Sequence, residues 1–322
     1  MFLRGLMLLL IPAVLLAGCG SSDDDAAAEP PATSFATAES NQIGVHMDDD
    51  AHGHSGTAEA GEAMQVVLVP SELVVGPNRF AVGLLTPDNA VIGDAQVRLQ
   101  YFDLSDAASP REETSAAATR VASPDGMTVI YTHEREFARA GAWGVRVEAR
   151  LPDGTTLDRN IRFEVQADSD AVLPGEPAPA SDSPTAVETG GDLTTLTSAP
   201  DPNPAFYTTS IAGAVASGRP TLLLFATPSF CQTRFCGPDY EIASDLQSRY
   251  GDRMNFVHVE VYTGLPNPAA NGWQITPSMG DFGLRSEPWL YLIDAAGIVT
   301  YRVEGLFTEP EIERQIDALL GG

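Results

Sequence analysis

Apolar and polar positions change rhythm several times along the chain, and each rhythm predicts a different kind of element. Leu6 to Leu16 is a short unbroken apolar run, with Arg4 before it and the polar stretch GSSDDDAAAEPPAT after Cys19. Residues 19–63 then show little periodic apolar pattern and are rich in Asp, Ala, Glu, Ser and Gly, which predicts a solvated tether. From 64 to 167 the pattern becomes short β-rich runs, MQVVLVP, NRFAVGLLT, AQVRLQYFDL, MTVIYTHEREF, WGVRVEARL and NIRFEVQ. Pro87-Asp88-Asn89, Pro124-Asp125-Gly126 and Pro152-Asp153-Gly154 sit between them as turns. Six or seven short strands in about 100 residues predict an all-β sandwich, with Trp143 as a core anchor. Residues 168–204, rich in Pro, Ser, Asp and Thr, read as a semi-extended linker.

The last block, 205–322, mixes both periods. A short helix is predicted from Ser210 to Ser217, followed by Thr221-Leu222-Leu223-Leu224-Phe225-Ala226, an apolar run that fits a strand buried on both faces. The chain then reaches Thr227-Pro228-Ser229-Phe230-Cys231-Gln232-Thr233-Arg234-Phe235-Cys236-Gly237-Pro238. Pro238 is placed to open a helix on which Ile242, Leu246 and Tyr250 share a face and after which Gly251 stops the pattern. Met254–Tyr262, Glu287–Asp294 and Ile298–Glu304 read as further strands. Thr308-Glu309-Pro310-Glu311 reads as a capping box for a final helix that buries Ile312, Ile316 and Leu319.

Composition narrows the function. The chain holds 44 acidic against 18 basic residues, and every basic residue is Arg, so nucleic acid is not an expected partner. An apolar share of 43% in 322 residues is enough for two cores and excludes a wholly disordered chain. The apolar run after Arg4 is shorter than the roughly 20 residues of a membrane span, and residues 1–18 read as a signal peptide. Leu16-Ala17-Gly18-Cys19 resembles the lipobox of bacterial lipoproteins, which implies lipid on Cys19 and a protein anchored on the extracytoplasmic side of the cell membrane. With Cys19 assigned to lipid, Cys231 and Cys236 are left as each other's partner in an oxidising compartment. In the tether, His46, His52 and His54 stand within nine residues, with Met47 and three Asp, and are candidate copper or zinc ligands.

Two further resemblances set expectations. FARAGAWGVRVEARLPDG is similar to the closing hairpin of small immunoglobulin-like modules in exported bacterial proteins, some of them linked to copper handling. LLLFATPSFC, SEPWLYLIDAAGIVTYRVEGL and the final helix resemble the thioredoxin and redoxin superfamily over roughly the last 115 residues. The resemblance implies an α/β thioredoxin-like domain, a mixed sheet flanked by helices, preceded by an immunoglobulin-like sandwich. It also implies that Cys231 and Cys236 are catalytic and that Pro288 is a cis-proline facing them. Glu287, Pro288, Phe230 and Arg234 are then candidate substrate-binding positions.

The chain departs from the family in spacing, Cys-x4-Cys in place of Cys-x-x-Cys, so either Cys aligns with the family's first thiol, and in one alignment Asp239 takes the second Cys position. Five helical residues separate Cα atoms by roughly 8 to 9 Å, whereas a disulfide needs less than about 7 Å. The segment 231–236 is therefore expected as a loop ahead of the helix, with the helix dipole and Arg234 favouring a thiolate.

The leading function is a membrane-tethered thiol-disulfide oxidoreductase without a cofactor. Its expected partners are exported proteins with thiols or disulfides, or a membrane electron donor. One alternative is a metallochaperone similar to Sco-type copper proteins, although His258 falls within a predicted strand, where packing is the expected role. Another is a binding lipoprotein in which the bridge is structural.

Overall fold

In this computed structural model the described residues are 63–321 and the two-residue strand β1, Ala36–Thr37. The expected signal peptide, Cys19, and the tether with His46, His52 and His54 lie outside them.

The first domain follows from period-2 alternation. Its strands are β2 (Gln65–Leu68), β3 (Gly76–Leu85), β4 (Gln96–Asp103), β5 (Arg111–Ala117), β6 (Thr119–Ala122), β7 (Val129–Phe137), β8 (Gly141–Arg150) and β9 (Thr156–Val165). They form two sheets, ordered β1-β9-β8-β4-β5 and β2-β3-β7-β6. In β4 the residues Val97, Leu99 and Tyr101 point inward while Gln96 and Arg98 face solvent. One apolar cluster draws on both sheets, with Phe80, Tyr131 and Phe137 from one and Leu99, Trp143, Val145 and Phe163 from the other. Trp143 is 1% exposed, and its indole N–H donates to the Arg139 carbonyl at 3.1 Å, a core position.

Strands β5 and β6 carry no apolar alternation and were not expected. REETSAA is mostly exposed and pairs with β4 at the sheet edge, through a register shift at Tyr101/Phe102, so backbone pairing rather than side-chain burial makes it a strand.

The second domain carries α1 (Ile211–Ala216), β10 (Thr221–Phe225), α2 (Cys236–Tyr250), β11 (Asn255–Val259), α3 (Pro277–Asp281), β12 (Trp289–Ile293), β13 (Val299–Glu304) and α4 (Glu309–Gly321). Its sheet is ordered β11-β10-β12-β13, with β10 and β11 parallel and the other pairs antiparallel. This is the strand-helix-strand, strand-strand-helix order expected for it. All five residues of β10 are buried because successive side chains enter two different cores. Leu222 and Leu224 meet α2 and α4, while Leu223 and Phe225 meet α1 and α3.

Two element ends differ from the spacing argument. Helix α2 begins at Cys236, so Pro238 is its third residue. The first turn has no use for its own N–H groups, and proline is therefore tolerated there. At α4 the Glu311 N–H donates to Thr308 Oγ1 at 3.4 Å, but the Glu311 carboxylate accepts from Tyr301 and pairs with Arg79 instead of closing the capping box.

Residues 168–204 are short of regular structure yet packed along the second domain. Ala178 N donates to Gly297 O and Val299 N to Glu176 O, both at 2.9 Å, and Leu196 and Ala199 enter the α2/α4 core. The two domains also meet directly. Arg79 donates to Leu306 O at 2.9 Å and pairs with Glu311 at 3.0 Å; Ser71 N donates to Glu304 at 2.8 Å; Glu72 pairs with Arg302 at 3.1 Å.

Candidate functional site

The chain leaves β10 at Ala226 and turns tightly over Thr227, with the N–H groups of Phe230 and Cys231 donating to the Thr227 carbonyl at 3.2 and 3.0 Å. Cys231 and Cys236 are joined as a disulfide with Cα atoms 6.0 Å apart, inside the limit that the loop argument required. The two sulfurs sit in different surroundings. Cys231 is half-buried and lies 3.2 Å from Thr233 Oγ1, whereas Cys236 has no exposed surface and starts helix α2.

Beneath the pair lies a carboxyl group. Glu287 Oε2 is 3.4 Å from Cys236 Sγ, and the Glu287-Pro288 peptide is cis, as the family resemblance implied. Burial, with the charge of Glu260 adding to it and the Thr227 N–H opposing, pushes the Glu287 carboxyl up to about 9. Held so far above the usual carboxylate range, it favours its neutral form and lies against Cys236 Sγ.

Glu260, one residue past β11, is the second member of this carboxyl pair. Burial moves it up to about 7, against hydrogen bonds from Thr227, Ser198 and Thr197. Thr227 Oγ1 donates to it, as do Ser198 N at 2.8 Å and Ser198 Oγ at 3.1 Å. The segment before the second domain thus reaches into the site.

Of the sequence-predicted residues, Cys231, Cys236, Glu287 and Pro288 converge. Phe230 lies beside Cys231 and meets Trp273 edge to face at 5.6 Å, and Tyr262 also meets that indole edge to face, at 5.2 Å. Arg234 is exposed and adopts a positive φ of 63°. His258 is fully enclosed, with Nδ1 2.8 Å from Tyr207 Oη and Nε2 3.0 Å from the Ala226 carbonyl. Burial moves it down to about 4, a packed and neutral histidine.

Sequence reasoning missed Glu260, Ser198, Thr227 and Trp273. Glu260 had a signal, an acid embedded in the apolar run FVHVEVY, where a charge is expensive to bury without a purpose. Ser198 had none, since it sits among the polar residues of an apparent linker. Among the described residues, Cys231, Cys236 and Glu287 also form a group whose donor atoms all lie within 4.8 Å of one another.

No family model matches the chain, and no curated protein does. Among solved structures it is similar to a putative thiol:disulfide interchange protein DsbE from Chlorobium tepidum, at 19% identity and a TM-score of 0.33 over 47% of this chain and all of that one. It is also similar to the pneumococcal exposed lipoprotein thioredoxin Etrx1 from Streptococcus pneumoniae, at 17% identity and a TM-score of 0.26 over 32% of this chain and 87% of that one. A third is CopC from Methylosinus trichosporium OB3b, at 14% identity and a TM-score of 0.22 over 30% of this chain and 85% of that one. Among the described residues no helix is long and apolar enough to cross a membrane.

Proposed function

We propose that the protein is a thiol-disulfide oxidoreductase of thioredoxin-like type. In this reading it acts on exported proteins from the extracytoplasmic face of a membrane, where lipid on Cys19 tethers it and an immunoglobulin-like sandwich precedes the redox domain. The observation that carries the chemistry is the asymmetric pair, a half-buried Cys231 bridged to a fully buried Cys236 that touches the acid Glu287.

The asymmetry assigns roles. A substrate thiolate attacks Cys231 Sγ, the sulfur that solvent reaches; the Cys231–Cys236 bond breaks, and its electron pair goes to Cys236 Sγ. That sulfur takes the proton of Glu287, 3.4 Å away, and the negative charge passes to the Glu287 carboxylate, which the Thr227 N–H favours. A second substrate thiolate then releases Cys231, and the substrate leaves with a disulfide. In the opposite direction Cys231 is the attacking thiolate, and Cys236 resolves the mixed disulfide once its proton passes to Glu287 in the carboxylate form that the first half-reaction leaves. Burial keeps the Glu287 carboxyl in its neutral form, and the charge of Glu260, held by Thr227 and Ser198, adds to that.

The test is exchange activity on a protein disulfide, before and after replacing each Cys by Ser. Loss of turnover in both variants with unchanged circular dichroism supports the reading. Turnover that survives either substitution refutes it.

A second reading has one observation in its favour. In the dithiol state two thiolates and the Glu287 carboxylate present S, S and O donors, a set suited to zinc or cuprous ion. Titration of the reduced protein with zinc or Cu(I), repeated on Glu287→Gln, decides between a three-donor site and adventitious thiol binding.

A further inference from the structure

Phe235 directly precedes Cys236 but belongs to a different core. Its ring is 7% exposed and packs with Val69, Ala81, Val121 and Ile130 of the two-sheet domain and with Leu306. Cys236, one peptide bond later, sits in the α2/α4 core. Two neighbouring residues of the redox loop are therefore gripped by two different domains.

Within the loop, Phe235 N–H donates to Thr233 Oγ1 at 3.4 Å and the Phe235 carbonyl accepts from Asp239 N at 3.0 Å, but its side chain is held by the two-sheet domain and Leu306. Phe235 is the N-cap residue of α2 and makes no side-chain capping hydrogen bond, so the start of the helix lacks its usual local anchor. Arg234 is held at a φ of 63°, a region that non-glycine residues seldom occupy unless the surroundings impose it. The approach of the sandwich depends on Gly305, at a φ of 75°. A Cβ there would stand 2.7 Å from Val69 Cγ1 and 3.7 Å from the Phe235 ring.

We propose that the two-sheet domain is a working part of the redox site, with Phe235 as the positioning residue through which it holds Cys236 opposite Cys231. The consequence is thermodynamic. When the bridge is reduced, each sulfur gains a proton and the pair gains two electrons. The tendency of the dithiol to close again, passing those electrons to an external disulfide, depends on how firmly the two sulfurs are kept near each other. An anchored Phe235 raises their effective concentration and so stabilises the disulfide; freeing it makes the pair easier to reduce. This deepens the redox reading of the site, but the equilibrium exists whether or not the pair turns over a substrate.

The experiment is equilibration of the chain, residues 19–322, with dithiothreitol buffers at fixed pH, reading the ratio of disulfide to dithiol by thiol alkylation. Phe235→Ala, and Ile130→Ala on the far side of the seam, are each expected to lower that ratio threefold to tenfold, a tenfold change being about 30 mV for a two-electron couple. The double variant should fall short of the product of the two, since both break one contact. Val147→Ala, in the sandwich core, should lower Tm without moving the ratio. If Phe235→Ala fails to fold, Phe235→Leu and Ile130→Val carry the same test with smaller shifts of the same sign. Folded seam variants with the wild-type ratio would overturn the proposal. A wild-type pair that equilibrates with dithiothreitol yet ignores protein thiols and disulfides would remove the proposed function and leave the anchoring standing.

Discussion

The proposed chemistry rests on a few side chains, and the different exposure of the two cysteines predicts that they are not equivalent in experiment. Cys236→Ser leaves the half-buried Cys231 free to attack but removes the resolving thiol, so a mixed disulfide with a protein substrate should accumulate and be visible by non-reducing electrophoresis. Cys231→Ser should trap nothing, because Cys236 has no exposed surface. Glu287 makes a separate prediction. Its carboxyl titrates near 4.5 in the unfolded chain and near 9 in the fold. Below about pH 4.5 both states hold the proton; above that the unfolded chain releases it while the fold keeps it, so stability is lost as pH rises towards 9. Glu260 and Glu304, both raised to about 7 by burial, act in the same direction. Glu287→Gln should therefore lose less Tm than the wild type between about pH 5 and pH 8, and an unchanged slope would mean that Glu287 ionises freely in the fold. The cysteines and Pro288 could be found in the sequence because cysteine and proline carry their chemistry in their identity. Glu287 was found only as a neighbour of Pro288, and its part as an acid was not, because nothing in its spacing reveals a raised pKa.

At the level of elements, period and punctuation located most of the second domain. The run TLLLFA became β10 and Ser210 became the N-cap of α1, with Oγ accepting from Gly213 N at 3.1 Å. Ser210→Ala should lower stability by about 1 kcal/mol in chemical denaturation, the usual value of such a cap. Failures came where backbone geometry outweighs side-chain pattern. Strand β5 forms from REETSAA because an edge position needs backbone pairing and no buried face. Helix α3, five residues that open at Pro277 after the N-cap Thr276, is too short to show a period. Gly305 is the point of close approach in the seam, and neither its positive φ nor its closeness to Val69 is visible in its surroundings in the chain. Gly305→Ala should destabilise by about 1–3 kcal/mol and, by pushing Val69 away, should also make the Cys231–Cys236 pair easier to reduce.

For the whole molecule, the meeting of the two domains is what the sequence concealed most completely. The residues that join them, Arg79 with Glu311, Ser71 with Glu304 and Glu72 with Arg302, are more than 200 positions apart, and charged residues in strands read from sequence as solvated. Residues 168–204 looked like a spacer because Ala171, Ala178, Leu196 and Ala199 follow neither helical nor strand period, yet all four are buried against the second domain. The arrangement places one domain's apolar cluster on the loop of the other's cysteine pair, and the account stands or falls on whether that pair is poised for exchange. The most direct measurement is its reduction potential, by equilibration against glutathione and dithiothreitol. The account predicts a value between about −120 and −270 mV, where thiol-disulfide catalysts lie. A value well below about −300 mV, with Cys231 inert towards protein thiols and disulfides, would mark a structural bridge and contradict it.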